Sequence, residues 1–307
     1  MKRRLRVATR GSKLSLAQTE IALKRILSVE PGLEYELVVV KTRGDIHVDK
    51  PFQEIGGKGL FEKEVNLAVL NGRADIAVHS LKDVPSQVTP GLVLAMTPPR
   101  DSPFDVLVSR SGAKSLWDLP SGAVIGSSSA RRVAMLKHAR RDLVFKPLRG
   151  NVDTRLRKLQ QGMYDAIIVA EAAIQRLGLD VEYWRIPVEI LAPAPSQGII
   201  GVYTLAHRVD LLDLLQKASH EETMRIARAE RAFLSKAGGG CHVPLGGYAW
   251  LEKGSLKFYA AIASSDGSRK AEVLVEGSPG SPESVGVLAA LELREKAKKM
   301  GIDPENP

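Results

Sequence analysis

Cysteine is nearly missing from this chain: Cys241 is the only one in 307 residues. A single thiol excludes an internal disulfide and a cysteine-rich metal site. It leaves Cys241 as a buried small hydrophobe, a reactive nucleophile or a point of covalent attachment. Aromatic residues are sparse, with 6 Phe, 6 Tyr and 3 Trp, too few for platforms that stack single-stranded nucleic acid. No apolar run is long enough to span a bilayer, so no membrane partner is expected. The basic start Met1-Lys2-Arg3-Arg4 is not followed by the apolar stretch of a secretion signal. With one cysteine, this points to a reducing cytoplasm. Asparagine is scarce too, with four residues, in line with a heat-adapted source. No G-x-S-x-G, phosphate-loop or dinucleotide-binding glycine pattern occurs. The 6 histidines show no metal-ligand spacing, so no metal is expected.

What is abundant is positive charge. Lys and Arg number 44 against 35 Asp and Glu, a net charge of +9. Such an excess favours anionic partners. The arginines are scattered over strand–helix junctions and form no basic run, which fits a small polyanion in a cleft better than nucleic acid.

The apolar pattern repeats strand, polar loop, helix. Leu5–Ala8 reads as a strand, followed by a helix with Leu14, Ala17 and Ile21 on one face and either a capping box at Ser15-x-x-Gln18 or a start one turn earlier. Tyr35–Val40 is a second strand, His47–Gly59 a glycine-containing mobile loop, and Phe61, Val65 and Ala68 mark a helix. Ala74–Val78 is a third strand, running into His79-Ser80-Leu81-Lys82-Asp83. After the stiff crossing Pro98–Pro103 the pattern restarts, with strands at Ala123–Gly126, Val144–Leu148 and Ala166–Ala170. A second crossing, Ala192–Gly198, returns the chain to the first domain. Two crossings make a hinged two-domain clamp. The last part alternates at Tyr248–Leu251, Leu256–Ala263 and Ala271–Val275, with hairpin signals between and helices at 221–236 and 282–300. The expected division is 1–97 with 198–216 (α/β), 98–197 (α/β) and 217–307 (α+β).

In open α/β sheets ligands bind beyond the carboxyl ends of the strands, where the charged candidates fall. Ser127-Ser128-Ser129-Ala130-Arg131-Arg132 joins hydroxyls and amides at a helix start to two guanidiniums. The macrodipole disfavours cations in a first helical turn, so Arg131 and Arg132 argue for a carboxylate or phosphate clamp over a solvated pair. Arg10, Arg149 and Arg155 lie at similar turns. Each alone suits a surface ion pair as well as a ligand; together they line the mouths of two sheets. Lys58 serves an anion only if its glycine loop closes as a lid. Lys82-Asp83 is a local ion pair or, in a closed cleft, a carboxylate for cationic nitrogens. Cys241 sits in Gly238-Gly239-Gly240-Cys241-His242, where an adjacent imidazolium would lower the thiol pKa.

Several blocks carry a resemblance: Val7-Ala8-Thr9-Arg10-Gly11-Ser12, Lys41-Thr42-Arg43-Gly44-Asp45, Gly56-Gly57-Lys58-Gly59-Leu60-Phe61, the run Ala74–Pro85 with His79-Ser80-Leu81-Lys82-Asp83, Leu148-Arg149-Gly150-Asn151-Val152, and Gly239-Gly240-Cys241-His242-Val243-Pro244. In this order they resemble the hydroxymethylbilane synthase, or porphobilinogen deaminase, family. The resemblance implies two α/β domains of periplasmic-binding-protein type II and a small α+β domain with a three-stranded antiparallel sheet. It implies a transferase that joins four porphobilinogens into 1-hydroxymethylbilane for haem and tetrapyrrole biosynthesis. A dipyrromethane cofactor would be attached to Cys241 through a thioether. Asp83 would be catalytic, and Lys82, Asp83, Ser128, Ser129, Arg131, Arg132 and Arg155 would hold the cofactor. Arg10, Ser12, Gln18, Lys58, Arg149, Arg176 and Gln197 would serve the substrate. A cytoplasmic monomer binding this small molecule, with no nucleic-acid or membrane partner, is expected. Glu54 stands where the family often has lysine, and Ser127 where it usually has threonine. Ser196-Gln197-Gly198 replaces Gly-Gln-Gly, a change expected to stiffen the hinge. The rival readings are a two-lobe anion-binding protein without catalysis, a nucleic-acid-binding protein, and a cysteine hydrolase, for which no base–orienter pair is identifiable.

Overall fold

A computed structural model describes residues 4–42, 62–238 and 243–303. The chain forms two compact units, Met1–Asp101 with Gly198–Met224, and Ser102–Gln197 with Arg225–Pro307.

The first unit is built on a five-stranded sheet. Its strands are β1 (Arg4–Arg10), β2 (Glu34–Val40), β3 (Ile76–Ser80), β4 (Leu92–Met96) and β10 (Ile200–Leu205), in the order β2-β1-β3-β10-β4. β1 runs parallel to β2 and β3, whereas β10 is antiparallel to β3 and β4. Leu5, Val7, Ile76, Val78 and Val202 share one face, against Leu23 and Ile26 of α1 (Lys13–Val29) and Leu211 and Leu215 of α6 (Val209–Ala218). The period of two along each strand selects that face. α1 takes the earlier start, a turn before the capping box. Ser12 is the N-cap, its hydroxyl accepting the Ser15 N–H at 3.1 Å. Gln18 is thereby freed for a different contact.

The second unit repeats the strand order with other segments. β5 (Asp105–Ser109), β6 (Val124–Gly126), β7 (Val144–Lys146), β8 (Ala166–Ala170) and β9 (Trp184–Arg185) form a sheet β7-β6-β8-β5-β9. In both sheets the fourth position is taken by an antiparallel strand that follows a crossing. The shared topology agrees with the two α/β domains that the resemblance implies. β5 and β8 are apolar on both faces because both are covered. Val106, Val108, Ile167 and Val169 pack against Leu159 of α4 (Val152–Gln160) and Ile174 of α5 (Glu171–Arg176). Leu107 and Ile168 face the opposite way, toward Met135 and Leu136 of α3 (Ala130–Ala139).

The same core takes in Tyr259, Ala261 and Ala263 of β12 (Ser255–Ala263). β12 is the centre of an antiparallel sheet between β11 (Leu245–Glu252) and β13 (Lys270–Gly277). Its other face carries α7 (Glu221–Ala237) and α8 (Pro282–Lys299), with Phe233 on Phe258 at 4.9 Å between centroids. The two helices cross at Gly286, where a Cβ would stand 2.0 Å from the Ala229 carbonyl oxygen. Strands β4, β5, β9 and β10 went unseen in the sequence pattern. β4 and β9 lead into the two crossings and β5 and β10 follow them, so none belongs to the strand–loop–helix repeat.

Candidate functional site

In the first unit the site residues collect beyond the ends of β1 and β3. Arg10 is the last residue of β1 and Ser12 caps α1. Gln18, 3% exposed, donates its amide to Ser80 Oγ at 2.8 Å, joining α1 to the end of β3. The next three residues, Leu81–Asp83, make one turn of 3-10 helix. Leu81 is fully buried and its N–H donates to the Ile199 carbonyl at 2.9 Å. That anchor leaves Lys82 half-buried and Asp83 exposed. An exposed carboxylate on a fixed turn can receive a cationic or N–H-bearing ligand without first breaking a core contact.

Two titratable groups beside this turn were not singled out by sequence patterns. His79 is buried, 2.8 Å from Asn66 Oδ1 and edge-on to Tyr203. Burial, with help from the Arg10 charge, depresses its pKa to about 3. A folded pKa far below the unfolded value of about 6.5 means that the unfolded chain takes the proton first as pH falls. His79 therefore contributes full stability above pH ~6.5 and loses it progressively down to pH ~3. Between pH 7 and 5 the loss is expected to be about 2 kcal/mol. Urea midpoints at the two pH values should show it in the wild type and not in His79→Gln; equal losses would refute it. Glu62 is 6% exposed. Burial pushes its carboxyl up, with the charges of Glu64 and Asp83 adding to the effect.

In the second unit Ser127, Ser128 and Ser129 link β6 to α3. Ser128 Oγ donates to the Leu148 carbonyl and accepts the Leu148 N–H, both at 3.0 Å. Ser129 is the N-cap of α3. Arg131 and Arg132 then turn inward; they are no solvated pair. Arg131 Nη1 donates to Asp105 Oδ2 at 2.8 Å and to the Ala192 carbonyl at 2.6 Å. Arg132 donates to Asp105 Oδ1 through Nε and Nη2, at 3.0 and 2.6 Å, and to the Ile168 carbonyl at 2.9 Å. Their side chains are 7% and 8% exposed and that of Asp105 0%. Burial pushes the Arg131 guanidinium down and the Asp105 charge opposes it. Guanidiniums keep their proton in proteins. Asp105 therefore offsets the cost of cations in a first helical turn, but one carboxylate faces two of them. Asp105 was missed in the sequence; the available signal was an acid opening an otherwise apolar strand.

Arg149 follows β7, and Arg155 sits in the first turn of α4 with Nε donating to the Gly150 carbonyl at 2.8 Å. Arg176 ends α5. Gln197 is fully buried, its amide donating to the Pro103 carbonyl at 2.7 Å and so tying the two crossings together. Lys58, Cys241 and His242, like the glycine loop around Lys58, lie outside the described residues. The described chain reaches Gly238 after α7 and resumes at Val243 before β11, which brackets Cys241. No group of metal-binding side chains occurs among the described residues, and none of their helices is long and apolar enough to cross a membrane.

The residues present fit an acidic oligopyrrole attached near α7. Among the described residues two buried guanidiniums share the Asp105 carboxylate, and the serines before α3 add hydroxyls and a helix N-terminus. Both favour carboxylates.

Two family models match this chain. One, described as porphobilinogen deaminase, dipyromethane cofactor binding domain, covers residues 5–213. The other, porphobilinogen deaminase, C-terminal domain, covers 224–295. A probable porphobilinogen deaminase of Hyperthermus butylicus is 72% identical over 300 residues, covering 97% of this chain and 99% of that protein. One of Pyrobaculum islandicum is 52% identical, with 96% and 99% covered. The porphobilinogen deaminase of Francisella tularensis subsp. novicida is 47% identical, with 95% and 96% covered. Two models spanning almost the whole length, and relatives this similar, place the chain in the porphobilinogen deaminase family.

Proposed function

We propose that this protein is a hydroxymethylbilane synthase whose site residues act as follows. Four porphobilinogens are joined head to tail, four ammonia molecules leave, and water completes 1-hydroxymethylbilane. The end-to-end family match carries this reading, and the cation surplus around Asp105 is its physical counterpart. The dipyrromethane cofactor, when bound to Cys241, supplies the primer pyrrole on which the product is assembled.

The chain's own residues bind, orient and stabilise charge. Asp83 holds pyrrole N–H groups and stabilises the positive charge that develops as ammonia departs. Lys82, Ser128, Ser129, Arg131, Arg132 and Arg155 hold the cofactor's acetate and propionate arms. Arg10, Ser12, Arg149, Arg176 and Lys58 receive the substrate's carboxylates, and Gln18 and Gln197 support that pocket. We further propose that residues 1–97 with 198–216, 98–197 and 217–307 act as three domains, and that the enzyme works as a cytoplasmic monomer.

Intact-protein mass spectrometry tests the attachment. Purified wild type is expected to exceed its sequence mass by one dipyrromethane unit, and Cys241→Ala to match its own. An active enzyme with an unmodified thiol would overturn the reading. A non-catalytic anion-binding clamp would consume no porphobilinogen.

A further inference from the structure

The second crossing holds a backbone conformation that its side chain does not favour. Ser196 has φ 67°, and among the described residues only Lys253 is another non-glycine with positive φ. L residues rarely occupy this region, because Cβ crowds the following carbonyl. Ser196 is 2% exposed, so its N–H needs a partner inside the protein. The partner is Glu230 of α7, a fully buried carboxylate. Glu230 Oε2 accepts the Ser196 N–H, and Oε1 accepts the Ala249 N–H of β11 at 2.8 Å. One side chain thus binds the crossing and the first strand of the C-terminal sheet at once.

The neighbouring residues are fastened to the same module. The Gly247 N–H donates to the Pro193 carbonyl at 2.9 Å. A Cβ on Gly246 would stand 2.5 Å from Ala192 Cβ and 2.6 Å from its carbonyl oxygen, so β11 lies directly on the crossing. The Gln197 N–H closes a turn onto the Ala194 carbonyl at 2.9 Å. At the next residue, Gly198, the chain enters the other compact unit.

We propose that Glu230 is a positioning residue for the polymerisation: it holds Ser196 left-handed, locks residues 192–197 to the α7–β11 module that brackets Cys241, and so fixes the direction in which the chain leaves that unit. Both side-chain oxygens are needed. Two N–H groups converge on it, and an amide in its place would turn an NH2 toward one of them. A glycine at 196 adopts the same φ without strain and has no need of the clamp.

The test compares wild type, Glu230→Gln, Ser196→Gly and the double variant, with turnover of porphobilinogen and thermal midpoint as readouts. Glu230→Gln is expected to turn over about tenfold more slowly, the factor that corresponds to releasing a left-handed residue, and to melt earlier. The double variant should recover most of both losses. If it is as slow and as unstable as Glu230→Gln, the carboxylate serves only to anchor Ala249 and the proposal falls. It falls equally if Glu230→Gln matches wild type. Should Glu230→Gln not fold, Glu230→Asp carries the same comparison. It keeps charge and burial but is one methylene too short to reach both N–H groups. The inference rests on the polymerase reading only for its kinetic arm. If the wild type made no product, that reading would fail, while the melting temperatures would still decide the clamp.

Discussion

Asp83→Asn is expected to lower turnover about 10²- to 10³-fold while the purified protein keeps the mass of its cofactor. The substitution preserves shape and removes one negative charge. Asp83 stands on a short turn whose only buried member, Leu81, is pinned to Ile199, so the change should leave the turn in place. In the proposed role, what disappears is a fixed anion facing a cation that exists only as the amine departs. That interaction is stronger in the transition state than in the ground state, so its loss should appear in kcat more than in KM. Steady-state rates and intact mass on the same preparation separate the two effects. Wild-type kcat in the variant would remove Asp83 from the chemistry. A variant without cofactor mass would assign it to cofactor assembly instead.

The second large effect is expected at Asp105. Asp105→Ala should destabilise the protein by about 3–5 kcal/mol, because it strands buried guanidiniums without their carboxylate. Both arginines direct N–H groups at this one residue, and each side chain is less than a tenth exposed. Leaving two desolvated cations side by side is worse than removing one of them. Adding Arg131→Met to Asp105→Ala should therefore recover part of the loss, and urea denaturation of the three proteins measures it. No change of stability in Asp105→Ala would mean that the cluster is not load-carrying in the fold. A double variant less stable than Asp105→Ala would show that Arg131 serves chiefly through its bond to the Ala192 carbonyl.

Much of the scaffold was legible. Ala166–Ala170 read as a very apolar strand, and it forms β8 with those limits. The serines before Ala130 marked a helix start by local chemistry that depends on few neighbours, and Ser129 is the N-cap. The start of α1 was left open between two turns because Ser12 and Ser15 are both competent caps. Which one serves depends on where β1 releases the chain, and that is set by pairing with β2 and β3. Antiparallel strands β5 and β10 are short apolar runs outside the strand–loop–helix repeat, and their partners are remote in sequence. The cationic cluster was visible as residue types, but its carboxylate lies 26 positions from Arg131, and no periodicity links them.

The amino-acid order alone determined which chemical groups are available: a lone thiol among glycines, a Lys-Asp pair after an apolar strand, guanidiniums at a helix start and a basic excess. These are covalent facts, and the family blocks preserve their order. Only tertiary structure decided which of those groups are satisfied internally and which remain open to a ligand. Asp105 orients two arginines without matching their charge, Glu230 holds Ser196 in a left-handed turn, and Leu81 exposes Asp83 by burying itself. The reason is that desolvation and hydrogen-bond geometry act between segments far apart in sequence, where packing, and not local propensity, sets the outcome.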